Sequence, residues 1–102
     1  MNPEERTNLN LIRFSNRSGS HVGCFRASKN ETDAHVYKKF ETWLNLTRRG
    51  HSVITEAILT TNEGRIDVFD VTEGVAYEIL SSEKEKDCDL KSYPVPIIKI
   101  KC

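Results

Sequence analysis

The period of polar and apolar positions changes twice along the chain, and the two changes divide it. Up to residue 29 no period is sustained. Asn, Ser and Arg are frequent there, and Leu9, Leu11 and Phe14 alternate only weakly. Residues 17–20 (RSGS) have the composition of a loop, and residues 22–25 (VGCF) that of a short strand. The stretch 1–29 is expected to form an arm or irregular cap, set apart from a core domain over residues 30–102. A helical period then begins. Val36, Tyr37, Phe40, Trp43, Leu44 and Thr47 fill one continuous face at about 100° per residue. Asn30 or Thr32 can cap this helix, and Glu31 and Asp33 sit where its dipole favours negative charge. Arg48 and Arg49 fall in the last turn, and Gly50 follows as a stop. The spacing predicts a helix over residues 32–49 with this apolar face.

After Gly50 the period shortens to that of strands. Residues 52–59 (SVITEAIL), 65–71 (RIDVFDV) and 75–80 (VAYEIL) are β-branched and apolar, with turns at 60–64 and 72–74 between them. Residues 81–92 are polar, with a Ser cap and early glutamates, and read as a short helix or helical loop. Pro94 and Pro96 end it, and residues 97–101 (IIKIK) form a last strand. The order is helix, three strands, short helix, strand, which defines an α/β class with a mixed sheet flanked by helices.

Composition narrows what such a domain can do. The chain has 102 residues, enough for one small core, and its 37% hydrophobic content predicts a thin one. A homodimer that completes the core, or grips a duplex, suits this size. Fifteen basic and fifteen acidic residues cancel, which excludes binding by bulk positive charge but not by a local basic face. No apolar run nears the roughly 20 residues that span a bilayer, so no membrane segment is expected. The first residues are polar, with Glu4 and Glu5, unlike a secretory signal. Cys24, Cys88 and Cys102 are odd in number and unclustered. They predict reduced thiols in a cytoplasmic protein, in a host cytoplasm if the source is viral, and no cysteine-bound zinc.

The candidate chemistry lies in three acids on three successive strands. Strand alternation groups Glu56 with Ile54 and Ile58, Asp67 with Arg65 and Phe69, and Glu78 with Ala76 and Leu80. A mid-strand carboxylate among apolar neighbours is costly to bury unless it is paired, hydrogen-bonded or holding a cation. Three of them suggest a shared site, and all-oxygen ligands favour Mg²⁺ or Mn²⁺. The plainer alternative is a solvated sheet face. Arg65, two residues before Asp67, can hold that acid ionised or meet a substrate phosphate.

The run Glu56, Arg65-Ile66-Asp67-Val68 and Tyr77-Glu78-Ile79-Leu80-Ser81-Ser82 resembles the core of the PD-(D/E)XK nucleases, with their restriction-endonuclease-like αβββαβ fold. It is most similar to the competence-protein CoiA-like branch, which has a helical His-x-x-x-Lys before the sheet, here His35 and Lys39. The likeness spans roughly residues 33–100. It implies a metal-dependent nuclease acting on DNA, with Asp67 and Glu78 as Mg²⁺ ligands. Glu56 would be a further ligand or an acid that positions water, and the Ile79 carbonyl another ligand. The signature lysine of the family falls at Leu80, which can neither orient water nor neutralise a phosphate. Two accounts compete. Another lysine has taken the role, Lys39 first and Lys84 or Lys91 behind it, or hydrolysis is lost and binding kept. Lys39 could equally lie over Trp43 as an ordinary surface lysine. His35 is a phosphate or metal-shell contact or a plain helix histidine, and Lys84 is a further substrate contact. Beside the nuclease stand two other readings: a non-catalytic nuclease-fold module that binds nucleic acid or protein, and a small regulatory domain in which the acidic trio is coincidence.

Overall fold

The computed structural model describes residues 2–12, 22–27, 29, 31–60, 65–80 and 94–102. The expected helix over 81–92, the turn at 61–64, the loop at 17–20, and Lys84 and Lys91 lie outside the described residues. Among those described, a first helix α1 (Pro3–Leu9) precedes α2 (Asp33–Arg48) and four strands: β1 (Val53–Ile58), β2 (Arg65–Asp70), β3 (Val75–Leu80) and β4 (Ile97–Lys101). The strands form one sheet in the order β1-β2-β3-β4. The first three make an antiparallel meander, and β4 lies parallel to β3, with Tyr77 opposite Ile98 and Ile79 opposite Ile100. Parallel neighbours require the chain to cross from one end of the sheet to the other between them. The described residues form an α+β domain with a four-stranded mixed sheet and two helices. No helix among the described residues is long and apolar enough to cross a membrane.

The arm contains a helix that its weak alternation does not announce. Pro3 opens α1, the Asn2 side chain accepts from the Glu5 amide at 2.8 Å, and Glu4 and Glu5 lie in the first turn. The helix holds the β2–β3 hairpin. Asn8 Nδ2 donates to the Val71 carbonyl at 2.8 Å, and Thr72 Oγ1 donates to Glu5 Oε2 at 3.2 Å. The hairpin accepts this contact because position 74 is glycine. Gly74 has φ +69°, and a Cβ there would stand 2.9 Å from the Asn8 side chain. Just beyond α1, Ile12 bridges to Leu59 and enters the main core. Residues 22–25 form no strand. They run as an irregular segment beside β1, where the Gly23 amide donates to the Val53 carbonyl at 2.8 Å and the Arg26 amide to Thr55 Oγ1 at 2.7 Å.

Helix α2 matches its expected bounds to within a residue at each end. Thr32 is the cap, accepting from the His35 amide at 3.2 Å, and Gly50 follows at φ +83°. Its orientation differs from the apolar-face expectation. The buried residues of α2 are Lys39, Thr42 and Leu46, while Tyr37 is 72% exposed and Phe40 42%. The helix is turned by roughly a third of a turn from the direction its apolar face predicts. His35, Lys39, Thr42 and Leu46 form the stripe towards the sheet, and Phe40 and Trp43 pack sideways against Phe25. The physical reason lies in the sheet, whose α2 face carries carboxylates that only the polar stripe can satisfy.

A second titratable group sits at the far end of β2. Asp70 is fully buried, and its carboxylate meets His51 Nδ1 at 2.8 Å and accepts from the Glu73 amide at 3.2 Å. Burial raises the pKa of neighbouring Tyr77; Asp70 adds to the shift, Arg49 opposes it and Glu73 reinforces it. Removing His51 leaves the Asp70 carboxylate short of a partner inside the protein. His51→Ala is expected to cost about 2–3 kcal/mol of stability, read from the urea midpoint at neutral pH. A loss under ~0.5 kcal/mol would mean that the pair adds nothing beyond an exposed surface contact.

Candidate active site

The site forms where β1 and β2 both break step. The β1–β2 ladder pairs Thr55 with Val68 and Ala57 with Ile66 but leaves out Glu56 and Asp67 between them. On β1 the main core takes Ile54 and Ala57, and on β2 it takes Ile66 and Phe69. Those are spacings of three where strict alternation gives two or four. Glu56 marks the break with φ 52°, a left-handed conformation that costs a side-chain-bearing residue roughly 1–2 kcal/mol. This corrects the face assignments made from alternation. Glu56 does not share a face with Ile54, nor Asp67 with Phe69, since both acids reach α2 and both apolar residues lie in the core that contains no α2 residue.

Around these acids the side chains close into one network. Lys39, 1% exposed, donates from Nζ to Glu31 Oε1 at 2.5 Å and to Glu56 Oε1 at 3.5 Å. The other oxygen of Glu31 faces His35 Nδ1 at 2.5 Å. His35 Nε2 stands 3.1 Å from the Ile79 carbonyl oxygen and 3.6 Å from Asp67 Oδ2. Both nitrogens therefore face oxygen atoms. Asp67 Oδ2 accepts from the Ile79 amide at 2.9 Å, where β2 and β3 have ceased to pair beyond Val68 and Tyr77. Arg65 Nη1 comes within 3.6 Å of Glu56 Oε1 while its side chain stays 57% exposed, so the guanidinium faces both the site and solvent. The Phe25 ring lies beneath Lys39, its centroid 6.0 Å from Nζ.

The structure thus brings together His35, Lys39, Glu56, Arg65 and Asp67, and adds Glu31. Lys39 does not lie over Trp43 as a surface lysine. Its i, i+4 neighbour His35 shares its stripe, and Glu41 faces outward with Lys38 at 3.1 Å. Glu78 is 2% exposed and immediately precedes Ile79, whose amide and carbonyl both face the network. Two residues on from Ala76 in an unbroken ladder, it shares the face that packs in the core away from α2, so the side chain expected beside Asp67 points away from the network. Among the described residues no three His, Cys, Asp or Glu side chains gather as a metal-holding group. Glu31 is the residue that sequence reading assigned only to the helix dipole. Its spacing of four and eight residues ahead of His35 and Lys39 is the signal that marks it, although it lies just outside the helix.

Glu56 offers a direct test of local strain. Glu56→Gly and Glu56→Ala both remove the carboxylate, but only glycine relieves the positive φ. The glycine variant is expected to be about 1–2 kcal/mol more stable than the alanine variant by urea unfolding. Equal stabilities would mean that the backbone relaxes without cost.

No family model matches the chain, and no curated protein or solved structure matches it either.

Proposed function

We propose that this protein is a metal-dependent nuclease of the restriction-endonuclease-like type, acting on DNA phosphodiesters, in which Lys39 replaces the lysine missing at position 80. The single observation behind this reading is the buried ammonium of Lys39, held between Glu31 and Glu56 beside Asp67. A buried lysine is costly, and one held by two carboxylates, one of them on a strained strand residue, suits a catalytic cation better than a stabilising one. The antiparallel meander followed by a parallel fourth strand is the order the resemblance implies.

The donor set fits magnesium. Asp67 Oδ2 and the Ile79 carbonyl oxygen both face the His35 Nε2 position, where an ion would bind with the imidazole turned aside, and Mg²⁺ commonly takes one or two carboxylates and completes its shell with water and phosphate. Asp67 and the Ile79 carbonyl would hold it, with Glu56 as a further carboxylate. Bound there, the ion would supply Lewis-acid charge and a more acidic water. Lys39 neutralises charge that builds on the phosphate in the transition state. Glu31 fixes the positions of Lys39 and His35, Glu56 orients a water molecule, and Arg65 meets the backbone of the substrate.

Calorimetric titration with Mn²⁺ tests the site without requiring turnover. One ion per chain is expected, with affinity lowered at least tenfold in Glu56→Gln. Absence of binding in the wild-type protein would refute the metal assignment. Leu80, 6% exposed and unable to act on phosphate, favours the second reading, a nuclease-fold module that binds nucleic acid without cutting it.

A further inference from the structure

The aromatic flank of α2 serves no packing need that would explain its exposure. Phe40 stacks on Trp43 with ring centroids 5.7 Å apart and planes at 29°, and Phe25 meets both rings edge-on at 5.2 and 5.7 Å. These contacts fix Phe40 rigidly, yet 42% of it remains exposed, and Tyr37, one helical turn away, is 72% exposed. The same Phe25 ring lies 6.0 Å from Lys39 Nζ. Phe25 therefore links the exposed rings to the buried ammonium of the reactive cluster. Positive charge accompanies the rings, with Arg26 next to Phe25 in the chain and Lys38 next to Tyr37.

We propose that this flank is a stacking platform for the unpaired bases of single-stranded nucleic acid. The proposal rests on the nuclease reading for what happens at Lys39 and names the substrate class of that site. Three observations select this occupant. A ring can meet the flat face of a base only where the strand is unpaired, because duplex bases hide their faces against one another. The two exposed rings offer roughly 250 Å², far below the ~800 Å² that each partner gives to a standard protein interface. Among the described residues the third large exposed apolar side chain, Ile98, is on β4, at the opposite edge of the sheet from the strand beside which Phe25 runs, so it does not enlarge the patch.

The test uses the wild-type protein in EDTA, where a metal-dependent enzyme cannot cut. Binding of a fluorescent oligothymidylate is compared with an abasic strand of the same length and with a duplex. The oligothymidylate is expected to bind roughly tenfold tighter than either, and Tyr37→Ala and Phe40→Leu are each expected to remove about tenfold of that affinity with an unchanged salt slope. Phe40→Leu keeps an apolar side chain against Phe25 and Trp43, and exposed Tyr37 can be removed without touching the core. Equal binding of thymidylate and abasic strands would overturn the proposal. So would variants that bind as wild type, or variants that change the sedimentation of the protein but not its DNA affinity, which would make the flank a protein contact. Cleavage is scored separately in Mg²⁺. Base-dependent binding without cleavage supports the platform and counts against hydrolysis, whereas cleavage with base-independent binding rejects the platform alone.

Discussion

Lys39→Met is expected to abolish DNA cleavage and to weaken the fold at the same time. Methionine has the length and apolar stem of lysine, so the packing over Phe25 survives and only the ammonium is lost. Two carboxylates then face each other without their cation. The side chains of Glu31 and Glu56 are each only 11% exposed, so water screens the lost charge poorly. Breaking a buried ion pair from one side costs about 3–5 kcal/mol, which should appear as a lower urea midpoint with an unchanged slope. If the same ammonium stabilises the phosphate, the rate should fall by about 10²–10³, the effect of removing one well-placed transition-state donor. The double variant Glu31→Gln/Lys39→Met separates the two effects. It relieves the unpaired charge, so stability should partly return while activity should not. A Lys39→Met protein that folds normally and cuts at the wild-type rate would reduce Lys39 to a bystander, leaving Leu80 with no substitute.

Asp67→Asn is expected to leave the fold nearly intact and to remove metal binding. Asparagine keeps an oxygen that can accept from the Ile79 amide, now at 2.9 Å from Asp67 Oδ2, and it preserves the separation of β2 and β3 at that point. What it loses is the charge that attracts a divalent ion and the full interaction with His35 Nε2. Mn²⁺ affinity should drop by more than tenfold and cleavage by about 10²–10³. Asp67→Ala should be worse in one respect only. It also strands the Ile79 amide, at a cost of about 1–3 kcal/mol. A stability loss as large in Asp67→Asn as in Asp67→Ala would show that charge, not the hydrogen bond, holds the strands here, and would make Asp67 a structural acid.

The strands and α2 were readable because their local signals agree with their environment. The β-branched runs lie in a sheet, and Thr32, Arg48 and Gly50 bound α2 as their chemistry dictates. Three features were not readable, each for a physical reason. Helix α1 has no apolar period of its own, because it binds the hairpin through Asn8 and Glu5. The rotation of α2 follows from carboxylates on other strands, which no local window contains. The shared face of Ile54 and Glu56 failed because period-two reasoning assumes an unbroken pleat, and the pleat breaks at Glu56 itself. At the site, acids and bases were legible by type and order, and His35 with Lys39 by helical spacing. Glu31 was hidden because residues ahead of a cap are ordinarily read for their effect on the dipole. Phe25 was hidden because it lies in the arm, far in sequence from the elements it touches.

The nuclease reading stands most directly on one measurement: conversion of supercoiled plasmid and of single-stranded DNA by the purified protein in Mg²⁺, Mn²⁺ or EDTA, beside Lys39→Met and Asp67→Asn. Cleavage in either metal that vanishes in EDTA and in both variants is the predicted result. Cleavage that persists in both variants, or no cleavage by the wild-type protein in either metal, would contradict it.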